Sequence, residues 1–426
     1  MIGKGGRLPD SDENKFQLFQ RLGSSNWSVR FSIRGEGQVR KSLGTADEAD
    51  ARRKADKLWR DATYRSEHGL RAVQRTFEQV AEEFIEQQVR EVARGERRIG
   101  LDRRIGSLVR RFFIPFFGKK PIDAVGDADI GRYQEWRKTY WTEGPGVEQT
   151  HIEYERGGKK LRRPATDMRR ANSLSSQRGE AVVLRQVFRQ AAKWGYINHA
   201  QIPDVMTPRV PPSPRPSFSI SEMNKLLKLA QKRMDDKTVN AEIRRDRQVL
   251  FAYITIAATT GMRPTEMRNL NWGDVLRYRD GLGERVGDRD IRIRARGKGK
   301  FREFIPLEGA LPEFDRLWRM WKAGHEDAEP NDDHPVFAAH SGKRLTSLNK
   351  SLTTLLDAAK LKVDHRGRAR DSYSFRHFYI SQQLIAGVDV FALARNCGTS
   401  PDMIDKFYGQ VSVEQLRDQL RPRWGK

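Results

Sequence analysis

Six prolines fall between residues 203 and 216, at positions 203, 208, 211, 212, 214 and 216. Each removes a backbone donor and fixes φ, so no helix crosses this stretch, which reads as a semi-rigid, extended connector. It divides 426 residues into two parts of about 200 each, both long enough for a core of their own. Any fold for this chain must therefore be built as at least two bodies.

Before the connector, Trp27-Ser-Val29-Arg30-Phe31-Ser-Ile33-Arg34 alternates apolar and polar residues, the period of a half-buried strand. Arg30 and Arg34 fall on the wet face. A turn at Gly35-Glu-Gly37 leads to Val39-Arg40-Lys41-Ser-Leu43 as a hairpin partner. Thr45-Ala-Asp-Glu48 has the form of a capping box opening a helix with Ala51, Ala55, Leu58 and Ala62. A small sheet whose outer face carries Arg30, Arg34, Arg40 and Lys41 suits entry into a DNA groove, as β-ribbon readers do; an idle basic surface is the competing reading. From residue 76 to 205 the apolar spacing becomes helical. Val80 and Phe84 mark one face, and Leu108, Val109, Phe112 and Phe113 mark another before Pro115 and Gly118 stop it. A helix near Ile130, Tyr133 and Trp136 follows, and a strong one runs from about Ser175 to Gly195. Residues 142–172, rich in Gly, Arg and Lys, read as an exposed insertion.

Charge narrows the choice of partner. Lys and Arg number 80 against 56 Asp and Glu, a formal +24 spread over the whole chain rather than held in a tail. Distributed cations are what phosphate neutralisation along a nucleic acid rewards. No run approaches the length of a membrane helix. The beginning, MIGKGGRLPDSDENK, lacks the apolar segment of a secretion signal, so a cytoplasmic, nucleoid-associated protein is expected. The single cysteine, Cys397, excludes an internal disulfide framework and a Cys-based zinc site. No phosphate-binding G-x-x-x-x-G-K-[ST] loop or H-E-x-x-H motif occurs, and the eight histidines lack metal-ligand spacing.

Three segments after the connector carry chemistry. In Thr260-Gly261-Met262-Arg263-Pro264-Thr265-Glu266 an apolar helix ends at Gly261 and Pro264 opens the next. An arginine at such a junction is held by backbone on both sides, which suits recognition of a phosphate, and Glu266 is placed to orient it. A plain surface arginine has the same local sequence. The second segment, Ile291 to Leu307, reads as two alternating strands around Gly297-Lys298-Gly299, putting Lys298 at a hairpin tip. The third comprises Tyr373-Ser-Phe-Arg376-His377, then Gly398-Thr399, then Tyr408-Gly409.

Taken together, these segments resemble the tyrosine recombinase (phage integrase) family, in its phage type with an N-terminal arm-binding domain. T-G-x-R-x-x-E matches at 260–266, the G-K-G hairpin at 297–306, H-x-x-R-H at 373–377, and the nucleophile follows at Tyr408. Two positions depart from the family pattern: Tyr373 stands where a histidine is usual, and Thr399 where His or Trp is usual. Neither is a good base near neutral pH.

The resemblance implies a mainly α fold with small β elements. It divides the chain into an arm-type DNA-binding domain of small sheet plus helix (1–75), a helical core-binding domain (76–205), a proline-rich linker (206–218) and a mostly α catalytic domain (219–426). It implies a catalytic set of Arg263, Lys298, Tyr373, Arg376, Thr399 and Tyr408, supported by Glu266 and His377, working with no metal or other cofactor. The implied partners are double-stranded DNA at core and arm attachment sites, copies of the chain assembling on DNA as a tetramer in the synapse, DNA-bending host factors, and no membrane. Val413 to Trp424 reads as a short amphipathic helix expected to dock on a neighbouring protomer, with packing on its own domain as the competing reading. The implied function is integration or excision of a phage or mobile element through a 3′-phosphotyrosine intermediate. A chromosome-dimer resolvase, a DNA-binding regulator with a degenerate site and a type IB topoisomerase are the alternatives.

Overall fold

The computed structural model describes residues 15–156, 159–211, 216–297 and 300–408. The chain divides into two compact units, 1–211 and 212–426, with the division inside the proline-rich stretch.

The first unit opens with an antiparallel sheet of β1 (Gln17–Gln20), β2 (Trp27–Ile33) and β3 (Gly37–Ser42), in that order, with β2 central. The expected alternation holds: Val29, Phe31 and Ile33 are buried against Ala51, Ala55 and Ala62 of α1 (Glu48–Glu67). The helix begins two residues later than the Thr45 capping box predicts. Asp47 is the cap and accepts from the Asp50 amide, while Thr45 Oγ1 accepts from the Asp47 amide; the charged carboxylate is the better acceptor at the positive end of the helix.

A second core gathers α2 (Phe77–Ala93), α3 (Leu101–Leu108), α4 (Ile114–Phe117), α5 (Asp127–Thr139) and α6 (Leu174–Lys193) around Phe77, Phe113, Ile122, Ile130 and Phe188. Pro115 does not stop its helix. Residues Val109–Phe113 form a π turn between α3 and α4, and this wider turn accommodates a residue that cannot donate; the chain breaks at Gly118 instead. Nor is 142–172 a bare insertion. It contains the hairpin β4 (His151–Arg156) and β5 (Lys159–Pro164), whose Ile152 is buried in the helical core beside Trp141 and Ala165. Arg65 ties the two cores together: it donates to Asp123, to the Tyr196 carbonyl at 2.7 Å and to the Arg71 carbonyl at 2.8 Å.

In the second unit, α7 (Ile220–Met234) begins at a full capping box of Ser219 and Glu222. It packs beside α8 (Ala241–Thr260), the central helix, whose Ile254, Ile256 and Ala257 are buried. After α9 (Pro264–Asn269) come β6 (Val275–Leu276), β7 (Arg292–Gly297) and β8 (Lys300–Phe304), a small antiparallel sheet in that order. The helices α10 (Leu311–Ala323), α11 (Asn349–Ala358) and α12 (Tyr373–Ile385) close the core, in which Phe375 stacks on Phe218. The last two, α13 (Val390–Cys397) and α14 (Pro401–Tyr408), pack with α12 in a smaller cluster of Tyr379, Ile380, Leu393, Cys397 and Ile404. The fold is mainly α with small β elements, as the sequence suggests. Among the described residues no helix is long and apolar enough to cross a membrane.

Candidate active site

The site starts where α8 ends. Thr260 Oγ1 donates to the Ile256 carbonyl at 2.6 Å and accepts from the Met262 amide at 3.3 Å, closing the last turn. Gly261 then takes a left-handed conformation, φ 60°. It is also packed: a Cβ there would lie 2.4 Å from Cδ1 of Tyr379, so no other residue fits. Arg263 has the extended backbone that a following proline demands and caps α9, with Glu266 Oε2 accepting from its amide at 2.8 Å.

Glu266 is the pivot. It is 2 % exposed, and Oε1 accepts from Arg263 Nη1 at 2.7 Å. Arg302 of β8 grips the same carboxylate with both terminal nitrogens, at 2.8 and 3.1 Å. Burial pushes the Glu266 carboxyl up, but Arg302 and Arg263 outweigh it and hold the group below its ordinary value, hence ionised. Burial likewise pulls Arg263 down, while Glu266 and the neighbouring Tyr373 hydroxyl more than offset it.

Three arginines are then fixed by three successive carbonyls at the C-terminus of α13. Arg302 Nε donates to Asn396 O at 2.9 Å, Arg376 Nη2 to Cys397 O at 2.8 Å, and Arg263 Nη2 to Gly398 O. A helix leaves its last carbonyls without intrahelical partners and concentrates negative potential there, so guanidinium groups are well matched to it. Arg376 also donates to Gly261 O at 2.6 Å, which links the end of α8 to the end of α13. Gly398 permits the close approach. Its φ is 61°, and a Cβ would lie 2.7 Å from Arg302 Cδ.

Arg263, Glu266 and Arg376 thus come together. Tyr373, half-buried, is the first residue of α12; its amide donates to Asp371 Oδ1 at 2.8 Å, and its ring lies 6.1 Å from that of His377, which is buried. Thr399 is half-buried, next to Gly398, and its amide donates to the Ala394 carbonyl. Lys298 lies outside the described residues, but Gly297 before it packs against Glu266: a Cβ there would be 3.2 Å from Oε1. Tyr408 is the last residue of α14, four residues after the buried Ile404 that seats this helix on α12 and α13. Val413 to Trp424 lies outside the described residues. No group of three or more His, Cys, Asp or Glu able to hold a metal ion occurs among the described residues.

The N-terminal sheet sorts the four basic residues expected to meet DNA. Arg30 pairs directly with Arg40 across β2 and β3, so both share the outward face, and both are exposed. Arg34 is exposed in the turn that follows β2. Lys41 pairs with Val29, which puts it on the opposite face of the sheet, though it too is exposed.

The sequence reading passed over two features. One is Arg302. The other is a basic surface on the first unit, where Arg104, Arg111 and Arg178 line a groove of about 600 Å³ between α3 and α6. Burial, then Arg163 of the hairpin and Arg137, press Arg111 below its ordinary value. Arg111 donates to the Glu153 carbonyl at 3.4 Å. Spacing by seven, at 104 and 111, was the available signal.

A lambda integrase dimer bound to a COC′ core site aligns at TM-score 0.53, with 13 % identity over 99 % of each chain. The Tn1549 transposon integrase in complex with circular-intermediate DNA aligns at TM-score 0.53, with 16 % identity over 82 % of this chain and 100 % of that one. A lambda integrase tetramer bound to a Holliday junction aligns at 0.51, with 13 % identity over 99 % of each chain. No protein-family model matches the chain, and no curated protein matches it significantly. The chain has the tyrosine-recombinase fold. Within that fold, its likeness to lambda integrase extends over nearly the whole length, including the N-terminal sheet and helix.

Proposed function

We propose that the chain is a site-specific DNA recombinase of the integrase type, with Tyr408 as nucleophile and Arg263 and Arg376 holding the scissile phosphate. The observation that carries this reading is the pair of arginines fixed side by side on the Cys397 and Gly398 carbonyls, next to the helix that ends in Tyr408. In the proposed step the Tyr408 oxygen attacks phosphorus and gives up its proton to solvent, the bond from phosphorus to the 5′ oxygen breaks, and Lys298 delivers a proton to that oxygen. The phosphodiester becomes a 3′-phosphotyrosine, so the bond energy is retained and neither ATP nor water is consumed. Attack by a second 5′-hydroxyl reverses the step and rejoins the strands. The negative charge that builds on the equatorial oxygens meets guanidinium groups already in place, worth several kcal/mol in such sites.

Tyr373 and Thr399 complete the phosphate's hydrogen bonds, and His377 supports the site from its buried position. Arg30, Arg34, Arg40 and Lys41 contact an arm-type site, and Arg104, Arg111, Arg163 and Arg178 contact the backbone of the core site. Residues 1–75, 76–205 and 219–426 then act as arm-binding, core-binding and catalytic modules joined at 206–218, with two protomers on each duplex and four at a synapse. DNA-bending host factors assist assembly, and the element moved is a phage or mobile element.

The test is a nicked duplex cut from the DNA flanking the coding region, incubated with the protein and run on a denaturing gel. A covalent protein–DNA band that disappears in Tyr408→Phe, with DNA binding retained, is expected. A band of equal strength in Tyr408→Phe removes the assignment, and no band with the wild type favours a DNA-binding regulator.

A further inference from the structure

Arg302 makes more of the site's contacts than its place on a strand requires. Its side chain is 16 % exposed and uses three nitrogens on two partners, the Glu266 carboxylate and Asn396 O. It stands on the inner face of β8, opposite the buried Ala295 and two residues before the buried Phe304, while Phe301 points outward. Lysine, a single point donor, cannot make this set of bonds.

Glu266 creates an electrostatic difficulty that this arrangement solves. Two bonds from Glu266 fix the backbone and side chain of Arg263, so the carboxylate orients that guanidinium. A full negative charge at 2.7 Å also opposes any anion that Arg263 must bind, and burial weakens the screening. Arg302 brings a second positive charge to the same carboxylate, donating to the Oε1 that Arg263 uses and also to Oε2.

We propose that Arg302 is a positioning residue that neutralises Glu266, so that the carboxylate can orient Arg263 without cancelling its charge toward the scissile phosphate. This rests on the recombinase reading of the site. Arg263 and Arg302 then share one carboxylate with Arg376 nearby on the Gly261 and Cys397 carbonyls, so three cations against one anion leave two net positive charges where the phosphorane forms. Without Arg302 one remains. Arg302 also joins β8, and with it the hairpin that carries Lys298, to the end of α13 through Asn396 O; the Ile305 amide donates to Asn396 Oδ1 at 3.4 Å alongside.

The experiment measures single-turnover cleavage of the nicked flanking-DNA duplex, equilibrium binding of the intact duplex, and urea stability in the full chain. Arg302→Gln is expected to slow cleavage about fiftyfold, the effect of one unit charge about 7 Å from the phosphate at an effective dielectric of about 20, with binding changed less than about threefold. Adding Glu266→Gln in that background is expected to restore at least about fivefold of the lost rate, since the uncompensated negative charge is removed. A purely structural Arg302 predicts the reverse, because the double variant loses more hydrogen bonds than the single. A double variant no faster than Arg302→Gln overturns the inference, as does wild-type cleavage by Arg302→Gln. Should Arg302→Gln fail to fold, Arg302→Lys keeps the charge without the fork. It is expected within about tenfold of wild type, and a fall of fiftyfold or more refutes charge compensation. If the wild type forms no adduct, the recombinase reading fails and this inference with it. An adduct in the wild type with unaltered Arg302 variants fails this inference alone.

Discussion

Replacing Gly398 by alanine tests whether the α13 terminus organises the site, and Gly367 supplies the control. Both glycines have positive φ, 61° and 73°. At Gly367 a Cβ meets nothing within 4 Å, so Gly367→Ala carries only the left-handed backbone penalty, about 1–2 kcal/mol. At Gly398 the same atom lies 2.7 Å from Arg302 Cδ, 2.9 Å from Nε and 3.1 Å from Cζ. These are the middle of a side chain pinned at both ends, so relief requires Arg302 to give up at least one bond to Glu266 or Asn396, each worth about 1.5–3 kcal/mol for a charged donor. Gly398→Ala should therefore cost about 3–5 kcal/mol in all. In urea, with a slope of about 2 kcal/mol/M, that lowers the midpoint by roughly 1.5–2.5 M against about 0.5–1 M for Gly367→Ala. Cleavage of the nicked duplex should fall with it, because Gly398 O also holds Arg263, while Gly367→Ala cleaves at the wild-type rate. Equal midpoints for the two variants, with wild-type cleavage by Gly398→Ala, would refute the reasoning.

Other substitutions separate the remaining contributions. Arg376→Ala removes both the donor to Gly261 O and the donor to Cys397 O; cleavage should drop by about 10²–10³, measured by single turnover, with urea stability reduced by about 3 kcal/mol. Glu266 has its carboxyl held below the ordinary value in the folded chain, so its contribution is present at neutral pH and fades as pH falls below about 4.5; a stability–pH curve should show a shallower acid decline in Glu266→Gln than in wild type. Arg65→Ala breaks a buried pair with Asp123 and leaves two carbonyls without their donor, and should destabilise the first unit by about 3–5 kcal/mol, seen as faster amide exchange in α1 with exchange in α8 unchanged.

What the sequence made legible, and what it did not, follows the range of the forces involved. The junction at Gly261, Arg263 and Pro264 could be read because helix stop, extended residue and helix start are local demands of glycine and proline. Alternation likewise gave β2 and the β7–β8 hairpin. Arg302 escaped because β8 carries two conflicting alternations: Phe301 is 72 % exposed and Phe304 is 4 %, so hydrophobicity alone does not choose the inner face. The cross-strand partner Ala295 settles it, and that requires the register. Pro115 departs from expectation for a different reason, the geometry of the turn before it. A proline penalty assumes α geometry, and the π turn at Val109–Phe113 changes the premise.

The deeper illegibility concerns distance along the chain. Arg376 meets a carbonyl 115 residues away, and Arg263 one 135 residues away, and no periodicity encodes such pairs. What makes them compatible is one short helix. Leu393, Ala394 and Cys397 are buried among Tyr379, Ile380 and Ile404, so the hydrophobic face of α13 locks its direction. Its direction fixes where the carbonyls of residues 396–398 point, and those carbonyls fix three guanidinium groups. The same face receives Ile404 and so seats α14, the helix that ends at Tyr408. Apolar packing of a few side chains thus sets both the position of the cations and the base of the helix that ends at Tyr408. Besides the Glu266 carboxylate, backbone carbonyls accept from all three guanidinium groups, and that backbone is held by burial rather than by the charges it serves.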